Sequence, residues 1–231
     1  MNYFVQETSE VVENLDTVPT EKTLSVYNLI MDGGIGGQII ILLLVILLAV
    51  ALYIYFERYF TIKAAAKMEK NFMNQIKDNI LNGNLEAARS LCVQENSPAS
   101  RLIEKGVARI GKPLEDINTA IENAGKLEIY KLERNVSVVA TIAGAAPMIG
   151  FLGTVLGMIV AIHEIANAGG QIDIKMLSDG LYTAMTTTVA GLIVGIIAYI
   201  AYNHLVSLTD KVVYNMEAKA VEFLDLLNEP I

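Results

Sequence analysis

The chain has 231 residues, of which 53% are hydrophobic and 18% charged, and its formal net charge is −8; mean hydropathy is +0.45. An ordinary soluble domain carries about 25% charged residues, so this composition points to a membrane. One cysteine (Cys92) and two histidines (His163, His204) exclude a disulfide framework or a Cys/His zinc site built from this chain alone, and the acidic balance argues against a nucleic-acid partner.

Residues 1–38 hold one lysine (Lys22) against Glu7, Glu10, Glu13, Asp16, Glu21 and Asp32. A secretory signal would open with positive charge, so the segment does not read as a cleavable signal peptide. Within it, residues 24–31 (LSVYNLIM) are weakly amphipathic and read as a short helix on the outer membrane surface. The cluster Gly33-Gly34-Ile35-Gly36-Gly37 follows. No strand precedes it, so it reads as a hinge rather than a phosphate loop.

Three stretches then have the length and apolarity of a bilayer crossing: residues 39–56, 136–162 and 181–203, none containing Asp, Glu, Lys, Arg or His. A helix needs about 20 apolar residues to cross a hydrocarbon core of ~30 Å. Between the first two crossings, residues 57–135 hold 13 of the 17 basic residues, with Arg58, Lys63, Lys131 and Arg134 close to the span ends. Positive charge marks the cytoplasmic side. The N-terminus is therefore expected outside, 57–135 in the cytoplasm, the 163–180 turn outside and the 204–231 tail in the cytoplasm. Tyr53, Tyr55, Phe56, Tyr59 and Phe60 form an aromatic belt at the inner end of the first crossing.

The polar regions read as helices as well. Residues 60–81 carry apolar positions near helical spacing and stop at Asn82-Gly83-Asn84, with Asn84 placed to cap the next helix, 85–93. Asn96-Ser97-Pro98 starts another, and Gly111-Lys112-Pro113 ends it. From 114 to 162 no strong stop signal occurs, so one helix of about 70–75 Å is expected; residues 181–228 give a similar length, and a break at Gly125 or near Asn203 is the alternative. The predicted fold class is all-α: a polytopic membrane protein with three transmembrane helices and long cytoplasmic helical extensions.

The last two crossings differ from the Leu/Ile-rich first. Gly150, Gly153 and Gly157 in the second, and Gly191 and Gly195 in the third, step along one face, and small residues let membrane helices approach closely. Packing does not need hydroxyls, yet Thr183, Thr186, Thr187 and Thr188 crowd one and a half turns opposite Thr154. Thr183 and Thr187 share a face and can line a polar path with Thr154. Any charged group that relays an ion there has to come from another chain. His163 at the end of the second crossing reads as an interfacial polar residue. No nucleophile–base pair, cofactor motif or metal-ligand cluster is present, so the chain is not expected to be an enzyme.

Residues 146–158 (APMIGFLGTVLGM) and 179–192 (DGLYTAMTTTVAGL) resemble the second- and third-span signatures of the ExbB/TolQ/MotA family of ion-driven motor subunits, most nearly ExbB. Glu57-Arg58 and the stretch from Asn84 to Cys92 are similar too. The resemblance implies a homopentamer around a single-span, ExbD/TolR-like partner that supplies a membrane aspartate. It also implies transfer of energy to a TonB-like protein serving outer-membrane transport. It assigns Thr154 and Thr188 to the ion path. ExbB and TolQ carry a glutamate where this chain has Thr183; sodium-driven relatives carry a threonine pair at the positions of Thr187 and Thr188. The choice between protons and sodium thus stays open, protons being favoured. A TolQ-like role, or a non-conducting scaffold held by the glycine faces, is the alternative.

Overall fold

The computed structural model describes residues 34–69, 71–167 and 174–228, and among them the chain forms seven helices and no strand. They are α1 (Gly34–Ala65), α2 (Phe72–Leu81), α3 (Leu85–Glu95), α4 (Pro98–Val107), α5 (Leu114–Glu133), α6 (Val136–Asn167) and α7 (Ile174–Asn228). Three of them, α1, α6 and α7, are long and apolar enough to cross a membrane. The architecture is all-α, as the composition and periodicity imply.

Two cores divide the molecule along its length. In the first, Ile40, Leu44 and Ala51 of α1 meet Val139, Ile142 and Ala146 of α6 and Val194, Ala198 and Ala201 of α7. The outward faces of these helices stay apolar: Leu42, Val45, Phe151, Ile159, Ile193 and Ile196 are exposed. An apolar rim around an apolar core is what a bilayer requires and water penalises. In the second core, α2–α5 pack around the distal half of α7, burying Phe72, Ile76, Ile103, Ile121, Met216 and Phe223. A Cβ added to Gly106 would lie 2.5 Å from Cε1 of Phe223, so α4 and the end of α7 are in direct contact. The middle segment and the C-terminal helix therefore share one end of the bundle.

The 55 residues of α7 amount to about 82 Å at 1.5 Å per residue, and the helix is unbroken past residue 203. The other long helix expected from sequence is not continuous. α5 ends at Glu133, Arg134 turns to extended backbone (φ −52°, ψ 129°) and Asn135 takes φ +63° before α6 begins. Asparagine tolerates the left-handed region better than most residues. The Arg58 guanidinium also donates to the Lys131 carbonyl (3.2 Å), one of the acceptors freed at the α5 terminus.

Three smaller expectations also change. The expected 60–81 helix is two elements, because α1 ends at Ala65 and α2 starts at Phe72; between them the Glu69 amide donates to the Glu95 carboxylate of α3 (2.9 Å). The Gly34–Gly37 part of the proposed hinge is the first turn of α1 instead. A Cβ on Gly37 would sit 2.7 Å from Cγ2 of Thr183, so this glycine is a contact point between α1 and α7. Asn84 stands at the N-cap of α3 without a side-chain capping bond, whereas Ser97 caps α4 by accepting from the Ser100 amide (3.1 Å) ahead of Pro98. The 24–31 helix lies outside the described residues.

Candidate functional site

α6 and α7 run antiparallel with their backbones nearly touching. A Cβ on Gly150 would lie 2.8 Å from the Thr187 carbonyl oxygen, and one on Gly191 would lie 2.6 Å from the Ala146 carbonyl oxygen. Gly195 faces Pro147 at 2.6 Å and Gly157 faces Ala184 at 3.1 Å. A Cβ on Gly153 would collide with the Thr187 hydroxyl. At Gly150 and Gly191 no side chain larger than hydrogen fits without moving backbone, and close approach maximises the dispersion that holds membrane helices together.

The same approach brings hydroxyls against carbonyls. Thr154 Oγ1 of α6 donates to the Ala184 carbonyl of α7 (3.2 Å), and Thr188 Oγ1 of α7 donates to the Gly150 carbonyl of α6 (3.1 Å). The two hydroxyls also face each other at hydrogen-bonding range. Thr187, fully buried, donates to the same Ala184 carbonyl (2.8 Å). Thr154 and Thr188 thus bring two protons to three contacts: two carbonyls and one another. When both carbonyls are served, the hydroxyl–hydroxyl contact has no proton between its oxygens. Such a site has acceptor capacity to spare, which suits a group that gains and loses a proton or a small cation.

The four sequence-predicted threonines do not form one row. Thr154, Thr187 and Thr188 converge on the Gly150 and Ala184 carbonyls, whereas the Thr183 methyl points to Gly37 of α1. Thr183 and Thr187 do share a face of α7, yet the hydroxyl partner of Thr154 is Thr188. Thr186 bonds back to the Tyr182 carbonyl (2.9 Å), the common fate of a threonine in a helix. His163 makes a local contact with Asn167 (3.1 Å). Sequence reading missed the Gly150 and Ala184 carbonyls, since backbone acceptors leave no residue-type signal, and missed Gly37 as the neighbour of Thr183. Among the described residues no group of three His, Cys, Asp or Glu side chains is placed to hold a metal ion.

A charged cluster stands below the candidate spans. Glu128 of α5 is buried and paired to Arg101 of α4 (2.5 Å) and Lys131 (2.7 Å). Burial pushes its carboxyl up, but the hydrogen bonds and charges of Arg101 and Lys131 outweigh that and hold it below the ordinary carboxylate range. Arg58, also buried, pairs with Glu57 (2.5 Å) at the end of the apolar part of α1.

The profile of the MotA/TolQ/ExbB proton channel family matches residues 94–218, which include α5, α6 and the threonine cluster. The putative biopolymer transport protein ExbB homologue of Methanothermobacter thermautotrophicus is 28% identical over 135 residues, 58% of this chain and 47% of its own. The biopolymer transport protein ExbB of Aquifex aeolicus is 38% identical over 91 residues, 38% of this chain and 61% of its own. The chain thus spans about half of the length of the first relative and under two thirds of the second. The Tol-Pal system protein TolQ of Haemophilus influenzae is 27% identical over 203 residues, 79% of this chain and 84% of its own. The family match extends over more than half the chain and takes in both glycine-faced helices, and the chain belongs to the MotA/TolQ/ExbB proton channel family.

Proposed function

We propose that this chain is the proton-conducting subunit of an ExbB-like motor in a bacterial inner membrane. The observation that carries the reading is the cluster of Thr154, Thr187 and Thr188 hydroxyls on the Gly150 and Ala184 carbonyls, set between stretches (136–162 and 181–203) that hold no Asp, Glu, Lys, Arg or His. A carboxylate carried to bilayer depth costs about 2.5–3.5 kcal/mol on insertion scales. Hydroxyls beside it lower that cost and offer a place for its proton. The acid belongs to a single-span partner of the ExbD/TolR kind, enclosed by a homopentamer of this chain. The N-terminus lies in the periplasm and the C-terminus in the cytoplasm, the basic residues of 57–135 facing the cytoplasm.

One charge crossing the membrane yields about 2.3 kcal/mol per 100 mV, whereas prising open a folded domain takes roughly 5–15 kcal/mol. Several ions per working event are needed. A ring of equivalent sites cycling past a partner acid delivers them, and a TonB-like protein receives the work. An oxygen-only cluster also fits sodium, whose ligands are oxygens, and this is the second reading.

The test is co-purification followed by flux. Expressed with its partner and reconstituted in liposomes, the complex should pass protons under an imposed potential, and a partner Asp→Asn variant should abolish the flux. Sodium dependence at fixed pH would reassign the ion. An assembly lacking any acidic helix, or flux indifferent to the partner, would overturn the reading in favour of a scaffold.

A further inference from the structure

Thr187 and Thr188 are neighbours in sequence and differ in accessibility. Thr188 and its partner Thr154 are half-buried, whereas Thr187 has no exposed surface. Thr187 sits where three helices meet. A Cβ on Gly153 of α6 would lie 2.7 Å from the Thr187 Cβ and 3.2 Å from Cδ1 of Ile40 of α1. One on Gly37 of α1 would lie 4.0 Å from the Thr187 Cγ2. A group arriving from outside the chain can touch Thr154 and Thr188, but not the Thr187 hydroxyl.

What that hydroxyl does touch is the Ala184 carbonyl, at 2.8 Å. A threonine bonding back to its own helix is ordinary, and Thr186 does no more than that. The Ala184 carbonyl is different because it has other claimants. Inside an α-helix the carbonyl of residue i accepts the amide of residue i+4, which for Ala184 of α7 is the amide of Thr188. Thr154 of α6 brings a second hydroxyl from across the helix pair, at 3.2 Å. Three donors thus meet an oxygen with two lone pairs. The amide is fixed by the helix, and the Thr187 bond is within the usual O–H···O range, while the Thr154 bond is longer than that range. The Gly150 carbonyl, by contrast, serves one hydroxyl, that of Thr188 (3.1 Å), beside its helical amide. Thr154 is therefore the hydroxyl held least firmly, and it is one of the two that can be reached.

We propose that Thr187 is a positioning residue for ion passage. By occupying the Ala184 carbonyl it keeps the Thr154 hydroxyl loosely bound, free to turn from that carbonyl towards an acidic group or cation brought alongside. The inference rests on the proposed proton-conducting role of the Thr154–Thr188 pair. Thr187 itself touches no ion. Without its hydroxyl the Ala184 carbonyl has a lone pair to give to Thr154, and the bond between the helices tightens. Thr154 then has to break a full hydrogen bond before it meets the passing group. Gly37 and Gly153 leave the room in which Thr187 is held.

The test is proton flux through the reconstituted complex with its acidic partner, in single and double variants. Thr187→Val should lower flux about fivefold, the rate equivalent of one net hydrogen bond of ~1 kcal/mol. Thr187→Ala removes the same hydroxyl without added bulk and should match it, so it decides the matter if the valine variant fails to assemble. Thr187→Ser keeps the hydroxyl and should recover most of the flux, which a loss of packing alone would not give. In a Thr154→Val background, Thr187→Val should change flux by less than about twofold, because the residue through which it acts is already gone. Three results would each overturn the proposal: parent-like flux without the Thr187 hydroxyl, no recovery in Thr187→Ser, or an equal loss in the Thr154→Val background. Impaired Thr154→Val beside unimpaired Thr187→Val sinks this proposal and leaves the proton-conducting reading standing; parent-like Thr154→Val sinks both.

Discussion

The Arg58 guanidinium reaches across 73 positions of sequence to donate to the Lys131 carbonyl at 3.2 Å. It does so while paired to Glu57, and it is buried. This contact ties the end of the first candidate span to the last turn of α5, immediately before the turn that launches α6. The direction of α6 is thus referred to α1 through one side chain. Arg58→Ala should destabilise the complex by about 1.5–3 kcal/mol, the usual worth of a hydrogen bond to a charged group. Arg58→Lys should recover part of this, since it keeps charge but loses the planar fork. Thermal unfolding in detergent measures both; an Arg58→Ala protein as stable as the parent would show that the contact carries no weight.

Glycine substitutions on α6 separate contact from propensity. A methyl on Gly150 meets backbone at 2.8 Å, while one on Gly144 meets nothing within 4 Å. Gly150→Ala should therefore cost about 1–3 kcal/mol through overpacking, and Gly144→Ala should be neutral or slightly stabilising. Melting temperatures of the two variants, measured side by side, make the comparison; equal effects would contradict the packing described for the α6–α7 pair.

Glu128 gives the polar end a pH dependence of known sign. Its folded carboxyl titrates below the ordinary value of about 4.3 for a glutamate, because Arg101 and Lys131 favour the charged form more than burial disfavours it. A depressed carboxylate contributes stability above the unfolded value, and that stability is lost as pH falls through the folded one. Unfolding followed from pH 7 downward should show the parent weakening below about pH 4. Glu128→Gln should be less stable at neutral pH by about 1.5–3 kcal/mol and flatter through the acid range. A variant with the parent's acid profile would remove Glu128 from the account.

Much of this was legible in the residues. Length and apolarity marked the three helices long enough to cross a membrane, and Ser97-Pro98 marked the start of α4 because its capping chemistry is local. The glycine-rich faces of residues 146–158 and 179–192 drew attention to the site. What escaped was set by tertiary contact. The break at Arg134-Asn135 contains neither glycine nor proline, and the Lys131 carbonyl it frees is met by Arg58 from α1. The pairing of Thr154 with Thr188 depends on the register of α6 against α7, fixed by Pro147 on Gly195 and Gly150 on Gly191. Sequence spacing orders threonines along one helix; it does not say which of them the other helix meets. The role of Gly37 is of the same kind, since a glycine's neighbour is invisible until the helices are packed.

The hydroxyl at position 154 is the most direct point of attack on the proposed ion path, because valine preserves its shape and serine its chemistry. In the reconstituted complex with its acidic partner, Thr154→Val should cut proton flux by about tenfold, the rate equivalent of one hydrogen bond worth ~1.4 kcal/mol, while Thr154→Ser should conduct close to the parent. Undiminished flux in Thr154→Val, in a complex that assembles normally, would contradict the assignment of the threonine–carbonyl cluster as the place where the ion passes.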